Sequence, residues 1–360
     1  GLNELVILNA SYRQVRIYDS NLNLEAALNF SEIPCCAVIS DTDGDGRNEL
    51  VVGTSNSDAG GYVYVGEVSG GVFRQEWKSP WIGSFRWSQE LAVGDSDGDG
   101  KKEIAVGVSW YGRYLVVYEW DGTTYKQVFR DDIGSDVDSV AYGDVDGDGV
   151  DELVVGTSCW SDYSLRIYDN FKLSYKKYEG GGVMCTIAYY NGRERIAIAV
   201  GTKCPCSLKI PSPSVKVLEW NGTELELLWM DSITHDPSVF RLMFIDSGQL
   251  IDDLNDEIVL GTYDELYNIN SLLILYKPVN DTYYEKIYEV AYAGEKIQKV
   301  TIADYDNDSR NELIVVTNKM VRIYKSKQAT VSIDQIMSDA KLIEKVQTNS
   351  TINLSAIVSD

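Results

Sequence analysis

Histidine is almost missing from this chain: one residue in 360, His235, in the connecting stretch Thr234-His235-Asp236-Pro237. Catalysis that relies on histidine has a single candidate, and a lone loop histidine is ordinarily solvated. No phosphate loop, nucleophile motif or haem motif occurs. Positive charge is scarce, with 32 Lys and Arg against 55 Asp and Glu and a net charge of −23. That balance argues against nucleic acid and anionic membrane surfaces as partners. No run approaches the roughly 18 apolar residues of a membrane span, so direct membrane insertion is not expected. No signal peptide is visible, although a leader removed before Gly1 would leave no trace. No low-complexity linker interrupts the chain, which reads as one domain over residues 1–360.

What the chain has in abundance is one short acidic phrase. Asp-Thr-Asp-Gly-Asp-Gly-Arg-Asn-Glu occupies 41–49, Asp-Ser-Asp-Gly-Asp-Gly-Lys-Lys-Glu 95–103, and Asp-Val-Asp-Gly-Asp-Gly-Val-Asp-Glu 144–152. A fourth copy, Asp-Tyr-Asp-Asn-Asp-Ser-Arg-Asn-Glu, stands at 304–312. Carboxylates at positions 1, 3, 5 and 9 of one loop repel each other unless a cation sits among them, and glycines at 4 and 6 let the backbone wrap around it. Calcium, a hard ion that takes six to eight oxygens, suits this donor set, and about four structural ions are expected. An EF-hand carries its Glu at position 12 between helices. Here the Glu is at position 9 and the flanks are strand-forming runs such as Ala37-Val38-Ile39-Ser40 and Leu50-Val51-Val52-Gly53-Thr54. Each loop is therefore expected at the tip of a β-hairpin.

The repeat recurs about every fifty residues. A third strand follows each hairpin, as in Val116-Val117-Tyr118-Glu119-Trp120, then a turn such as Asp121-Gly122 or Asn221-Gly222, then a fourth strand such as Tyr125–Phe129. Four antiparallel strands per unit make a propeller blade. Two units keep the frame without the consensus: one around Asn191-Gly192-Arg193-Glu194, expected to bind nothing, and one in which Asp246 opens a longer loop closed by Asp253, Asn255 and Glu257. The seventh unit is split, residues 1–31 supplying three strands and about 347–360 the inner strand. The expectation is an all-β, seven-bladed propeller closed by its own C-terminus, which removes exposed strand edges. The sequence stops inside a seventh loop, so a longer natural chain or a neighbouring molecule is expected to complete it. One segment departs from the template: Ser332 to Val346 has helical spacing and a capping box, which predicts a short helix over about 332–340, followed by a fourth strand over 341–346.

Six cysteines, Cys35, Cys36, Cys159, Cys185, Cys204 and Cys206, map to the rim opposite the acidic loops. Disulfides are the main expectation, with Cys159 or Cys204 reaching Cys185 and a vicinal Cys35–Cys36 bridge. Buried free thiols and a soft-metal site on Cys204-Pro205-Cys206 are the alternatives. Seven Asn-x-Ser/Thr sites, at Asn9, Asn29, Asn221, Asn280, Asn307, Asn349 and Asn353, also allow glycosylation. Trp87, Trp110, Tyr111, Trp160 and Tyr163 fall on the same rim and form a candidate ligand surface; packing between blades is the competing role. Trp120, Trp220 and Trp229 are expected in the inter-blade core.

These units resemble FG-GAP/VCBS-type repeats, the family that includes the integrin α-chain propeller. The resemblance implies calcium held by side chains 1, 3, 5 and 9 and the carbonyl of residue 7. The ligands would be Asp41, Asp43, Asp45, Arg47 and Glu49; Asp95, Asp97, Asp99, Lys101 and Glu103; Asp144, Asp146, Asp148, Val150 and Glu152; Asp304, Asp306, Asp308, Arg310 and Glu312. Val-Gly-Thr replaces the integrin Phe-Gly and Gly-Ala-Pro signatures, so the chain looks nearer to the microbial secreted branch. The expected function is a non-catalytic extracellular or cell-surface propeller that binds protein or glycan in adhesion. A self-assembling subunit of a surface layer or filament is the first alternative. The second is a polysaccharide-acting lyase or hydrolase, which would need an acid/base pair that the sequence does not display.

Overall fold

A computed structural model describes residues 4–55, 60–83, 90–109, 112–158, 162–201, 213–233, 241–251, 254–264, 271–327, 330–338, 341–344 and 357–359. Seven antiparallel sheets follow one another along the chain. Blade 1 consists of Ile33–Ser40, Glu49–Ser55, Val63–Ser69 and Val72–Lys78. Blades 2 to 5 repeat that order, with inner strands at Leu91–Gly94, Val137–Gly143, Gly182–Tyr190 and Arg241–Gly248. Blade 6 starts at Ile297–Ala303. Blade 7 is built from Glu4–Asn9, Gln14–Tyr18 and Leu24–Asn29, and Ile357–Ser359 joins it as the inner strand, pairing Val358 with Leu5 and Ile357 with Val6. The ring therefore closes as the sequence predicts.

The strands differ in burial as their positions require. Second strands such as Glu103–Val108 are buried at every residue, because both their faces meet neighbouring blades. Fourth strands such as Val72–Lys78 are mostly exposed and charged, which blunts the outer sheet edge. The core accordingly divides into layers between blades. Val51, Val63 and Val65 of blade 1 pack with Ile104, Val106 and Val116 of blade 2; Val154 and Ile167 of blade 3 pack with Ile198 and Trp220 of blade 4. Trp120 and Trp229 are half-buried against such layers, as expected for inter-blade tryptophans.

The Val-Gly-Thr signature has a steric cause. A Cβ on Gly156 would stand 2.2 Å from the Val183 carbonyl oxygen of the next inner strand and 2.5 Å from Ser139 Oγ. On Gly107 it would stand 2.5 Å from Val137 Cγ1. The glycine is where the next blade's inner strand comes closest.

Blade 6 corrects one expectation. Residues 330–338 form a strand, not a helix, pairing antiparallel with Met320–Lys327 from Lys327 opposite Thr330 to Met320 opposite Ser338. This strand is the fourth of the blade, and Lys341–Glu344 adds a fifth beyond it. The unpaired backbone of the third strand needs an outer partner, and that demand overrides a helical spacing and a capping box that carry only about 1 kcal/mol.

Candidate metal centre

Each acidic loop links the inner strand of a blade to its second strand, and the first three are built alike. The carboxylate of residue 1 accepts from the N–H groups of residues 4 and 6. For Asp95 the donors are Gly98 at 2.8 Å and Gly100 at 2.9 Å; for Asp41 they are Gly44 at 2.8 Å and Gly46 at 2.9 Å. Residue 3 accepts from residue 5, and residue 5 from residue 7. Both glycines sit at positive φ, for example +73° and +87° at Gly98 and Gly100. The backbone thus orients the aspartates while leaving further oxygen lone pairs for an ion.

Residue 9 closes each loop from below. Glu49 and Glu103 are fully buried, and in each only Oε2 is engaged: by the Thr42 N–H at 2.7 Å and the Thr42 hydroxyl at 3.0 Å, and by the Ser96 N–H at 2.7 Å. The Oε1 atoms of Glu49 and Glu103 have no hydrogen-bond partner among the described residues. Ligand oxygens of Asp95, Asp97, Asp99 and Glu103 come within 4.8 Å of one another, as do those of Asp144, Asp146 and Glu152. In blade 1 the outer strands add Glu67 and Glu76 to the cluster. A buried carboxylate oxygen without a donor, facing further carboxylates, is the arrangement a hard cation relieves. The residues of these loops therefore fit calcium.

Without a cation, burial pushes the Glu103 carboxyl up to about 8, with Asp97 and Asp95 adding to the rise against the Ser96 N–H. Glu152 rises to about 8 for the same first cause, burial, aided by Asp146. These groups favour the fold in their neutral form, so their contribution is fully present below the ordinary carboxylate value of 4.5 and is lost as pH rises through about 8. In chelator the melting temperature should fall between pH 5 and pH 8; in excess calcium the trend should flatten or reverse. Thermal melts in both buffers check this, and a chelated protein that gains stability toward pH 8 would contradict it.

The fourth loop differs. Asp304 still accepts from Asp308 at 3.2 Å and Ser309 at 2.9 Å, and Tyr305 N–H reaches Glu312 Oε2 at 3.2 Å. Positions 4 and 6 are Asn307 and Ser309, held at φ +59° and +66° without the freedom of glycine. Lys325 places its ammonium against Asp306 Oδ2, 3.1 Å from Asp308 Oδ2 and 3.4 Å from Glu312 Oε1.

Blades 4 and 5 have left the pattern. Arg195 takes the position of the closing Glu and is buried against Asp281, 3.1 Å away, so this hairpin carries a cation of its own. Asp246 does not open a loop. It lies within the strand Arg241–Gly248, where its carboxylate accepts from the Thr301 hydroxyl, from the Ile302 N–H at 3.2 Å and from the Thr186 hydroxyl at 3.4 Å, joining the inner strands of blades 4, 5 and 6. Asp253 lies outside the described residues.

Position 8 has a role that loop chemistry alone does not reveal: in blades 2, 3, 5 and 6 it ties the blade to the one before. Asp151 accepts from the Asp95 N–H and donates its own N–H to the Asp95 carbonyl, both at 3.0 Å. Asp256 makes the same pair with Tyr189 at 2.8 Å. Lys102 reaches Ser40 Oγ at 3.0 Å and Asn311 reaches the Gln249 carbonyl at 2.9 Å. The recurrence of a polar residue just before the closing Glu was the available signal.

Of the residues expected from sequence on the opposite face, Trp87, Trp110, Tyr111, Trp160, Cys159, Cys204 and Cys206 lie outside the described residues, as does His235. Tyr163 lies beside Tyr178, ring centroids 6.4 Å apart and edge-on. Tyr178 is 65% and Trp81 52% exposed; Tyr178 ends the fourth strand of blade 3, and Trp81 follows that of blade 1. They were missed because their repeat positions lie at strand ends, without a motif.

The described cysteines are thiols. Cys36 is buried between blades 1 and 2, whereas Cys35 directs its Sγ to the Ile33 carbonyl at 3.3 Å. Cys35 is the extra residue of a bulge between Pro34 and Cys36 and packs against the same inter-blade cluster, and the two sulfurs remain separate thiols. Cys185 is buried between blades 3 and 4, 3.3 Å from Ser139 Oγ, and burial pushes its thiol up to about 12. It is an inert packing thiol, not a disulfide partner.

Residues 41–106 match the sequence model of the FG-GAP-like repeat. No curated protein matches the chain. Among solved structures, the periplasmic gluconolactonase PpgL of Pseudomonas aeruginosa is similar at 11% identity, covering 96% of this chain and 98% of that one with a TM-score of 0.64. Saccharomyces cerevisiae Sqt1 is similar at 13% identity over 96% of this chain and 87% of its own, TM-score 0.57. A chain of the mitotic checkpoint complex follows at 13% identity, 87% and 83% coverage, TM-score 0.58. At these identities the likeness is one of fold: a seven-bladed propeller carrying an FG-GAP-like repeat.

Proposed function

We propose that this propeller is a calcium-stabilised, non-catalytic scaffold that binds another protein outside the cell through the face opposite its acidic loops. The observation that carries the calcium reading is the unpartnered Oε1 of fully buried Glu49 and Glu103 beneath a ring of aspartates. Asp41, Asp43, Asp45, Glu49 and the Arg47 carbonyl would hold the first ion; Asp95, Asp97, Asp99, Glu103 and the Lys101 carbonyl the second; Asp144, Asp146, Asp148, Glu152 and the Val150 carbonyl the third. Bound there, calcium pins the hairpin tip. The ties made by position 8 carry that rigidity to the preceding blade. Extracellular modules bind calcium at about 10⁻⁴–10⁻³ M, which suits loops as open to solvent as these.

Two features support protein binding. Trp81 and Tyr178 present large aromatic surface at the strand ends of blades 1 and 3. Propellers of this shape also occur in assemblies, as in the mitotic checkpoint complex and in the complex of BBS1N with ARL6DN, which is similar at TM-score 0.52.

The test uses photo-crosslinking amino acids. Placed at Trp81 and Tyr178, they should capture one defined protein from the surface of the producing cell, in calcium-containing medium. Placed at Val72, on the outer blade edge, they should capture none. Equal capture at the two locations, or capture unaffected by chelator, would overturn the reading.

A further inference from the structure

Three loops of the ring share an acidic neighbour that the fourth loop lacks. In blade 1 Leu50 pairs with Gly66, in blade 2 Ile104 with Tyr118, and in blade 3 Leu153 with Tyr168. Continuing each register by one residue places Glu67, Glu119 and Asp169 opposite the closing Glu49, Glu103 and Glu152. In blade 6 the residue opposite Glu312 is Lys325. Blade 5 repeats this second arrangement, since Ile258 pairs with Tyr276 and the next residue across from Glu257 is Lys277. Among the loops that keep the closing Glu, an acidic neighbour thus goes with Gly-x-Gly, and a lysine goes with loops that have lost both glycines.

The Lys325 ammonium stands where the donor set converges. It touches the position-3, position-5 and position-9 carboxylates together. Its contact at position 9 is to Glu312 Oε1, the counterpart of the atom that has no partner in Glu49 and Glu103. Tyr305 lies beneath, its ring centroid 5.8 Å from the ammonium. The side chain is only 22% exposed, so the charge belongs to the loop interior. Arg47 pairs with Asp45 and with the acidic neighbour Glu67, and Lys101 with Asp99 and Glu119, but both reach from position 7 with side chains half or more exposed, and neither is placed against the closing Glu.

We propose that Lys325 is a tethered cation that takes the place of calcium in the 304–312 loop, so that the chain takes up three ions and not four. This rests on the calcium reading above. A dication entering this loop would have to displace a cation that is covalently held at high effective concentration and would then sit beside it. Blade 6, which precedes the split blade 7, keeps its hairpin tip folded whether or not calcium is present.

The number of ions on the intact chain tests this, by native mass spectrometry and by metal analysis after gel filtration in calcium buffer. The wild type should carry three. Asp97→Asn should carry two, and Asp306→Asn should still carry three. Lys325→Glu, which supplies the acidic neighbour of the other blades, should carry four; Lys325→Met, which removes only the charge, should also gain an ion. Four ions on the wild type, or loss of one in Asp306→Asn, overturns the role of Lys325 while leaving calcium binding intact. A count of zero overturns the calcium reading itself.

Discussion

Stripping calcium with EGTA is expected to lower the melting temperature of this propeller by roughly 10 °C. In about 10 mM calcium, a hundred times the tighter end of the range for extracellular modules, each ion contributes about 2.7 kcal/mol to a fold that alone can bind it, so three loops give about 8 kcal/mol. For a chain of this length, longer than those for which 1 kcal/mol moves the midpoint about 2–4 °C, a shift of about 1–2 °C per kcal/mol follows. The physical source is the cluster at each hairpin tip. Remove the ion and the Asp95, Asp97, Asp99 and Glu103 carboxylates, held within 4.8 Å, repel one another around a buried oxygen that water does not reach. Asp97→Asn should cost about a third of the effect and leave the other two sites responsive to calcium. Differential scanning calorimetry with and without EGTA measures both. An unchanged midpoint in chelator would remove calcium from the account of this protein.

The second large effect is steric. Gly156→Ala should destabilise the ring by about 3 kcal/mol or more, the upper range for overpacking, because the obstacle is backbone and cannot rotate away. The added methyl would meet the Val183 carbonyl at 2.2 Å and Ser139 Oγ at 2.5 Å, forcing blades 3 and 4 apart. That displacement would also strain the hydrogen bond from the Cys185 N–H to Ser139 Oγ at 3.0 Å. Gly122→Ala is the matched comparison: φ is +94° and nothing lies within 4 Å of the new atom, so the cost is left-handed strain alone, about 1–2 kcal/mol. Urea midpoints of the two variants decide the matter. If Gly156→Ala is no worse than Gly122→Ala, the blades are not in the close contact described here.

Much of this architecture was readable before any coordinates. Strand alternation broken by Asp-x-Asp-Gly-Asp-Gly leaves few choices but a hairpin, and Gly-Leu-Asn-Glu-Leu-Val at the start echoes Gly-Arg-Asn-Glu-Leu-Val at 46–51, which reveals the split blade. The segment at 330–338 misled because apolar residues at 333, 336, 337 and 340 satisfy a helical period within so short a window, while the outer edge of blade 6 required a strand. The cysteines misled in another way. Placement on one rim said nothing of which side of a strand each sulfur takes, and Cys36 and Cys185 turned inward.

Sequence alone determined the number of blades, the closure of the ring and the identity of the acidic loops, because each depends on local pattern repeated at fixed spacing. Tertiary structure decided how those loops differ. Lys325 lies thirteen residues from Glu312 along the chain and directly across the ladder from it. Whether a carboxylate cluster meets another acid or a lysine depends on strand register, which brings together residues that no single motif contains.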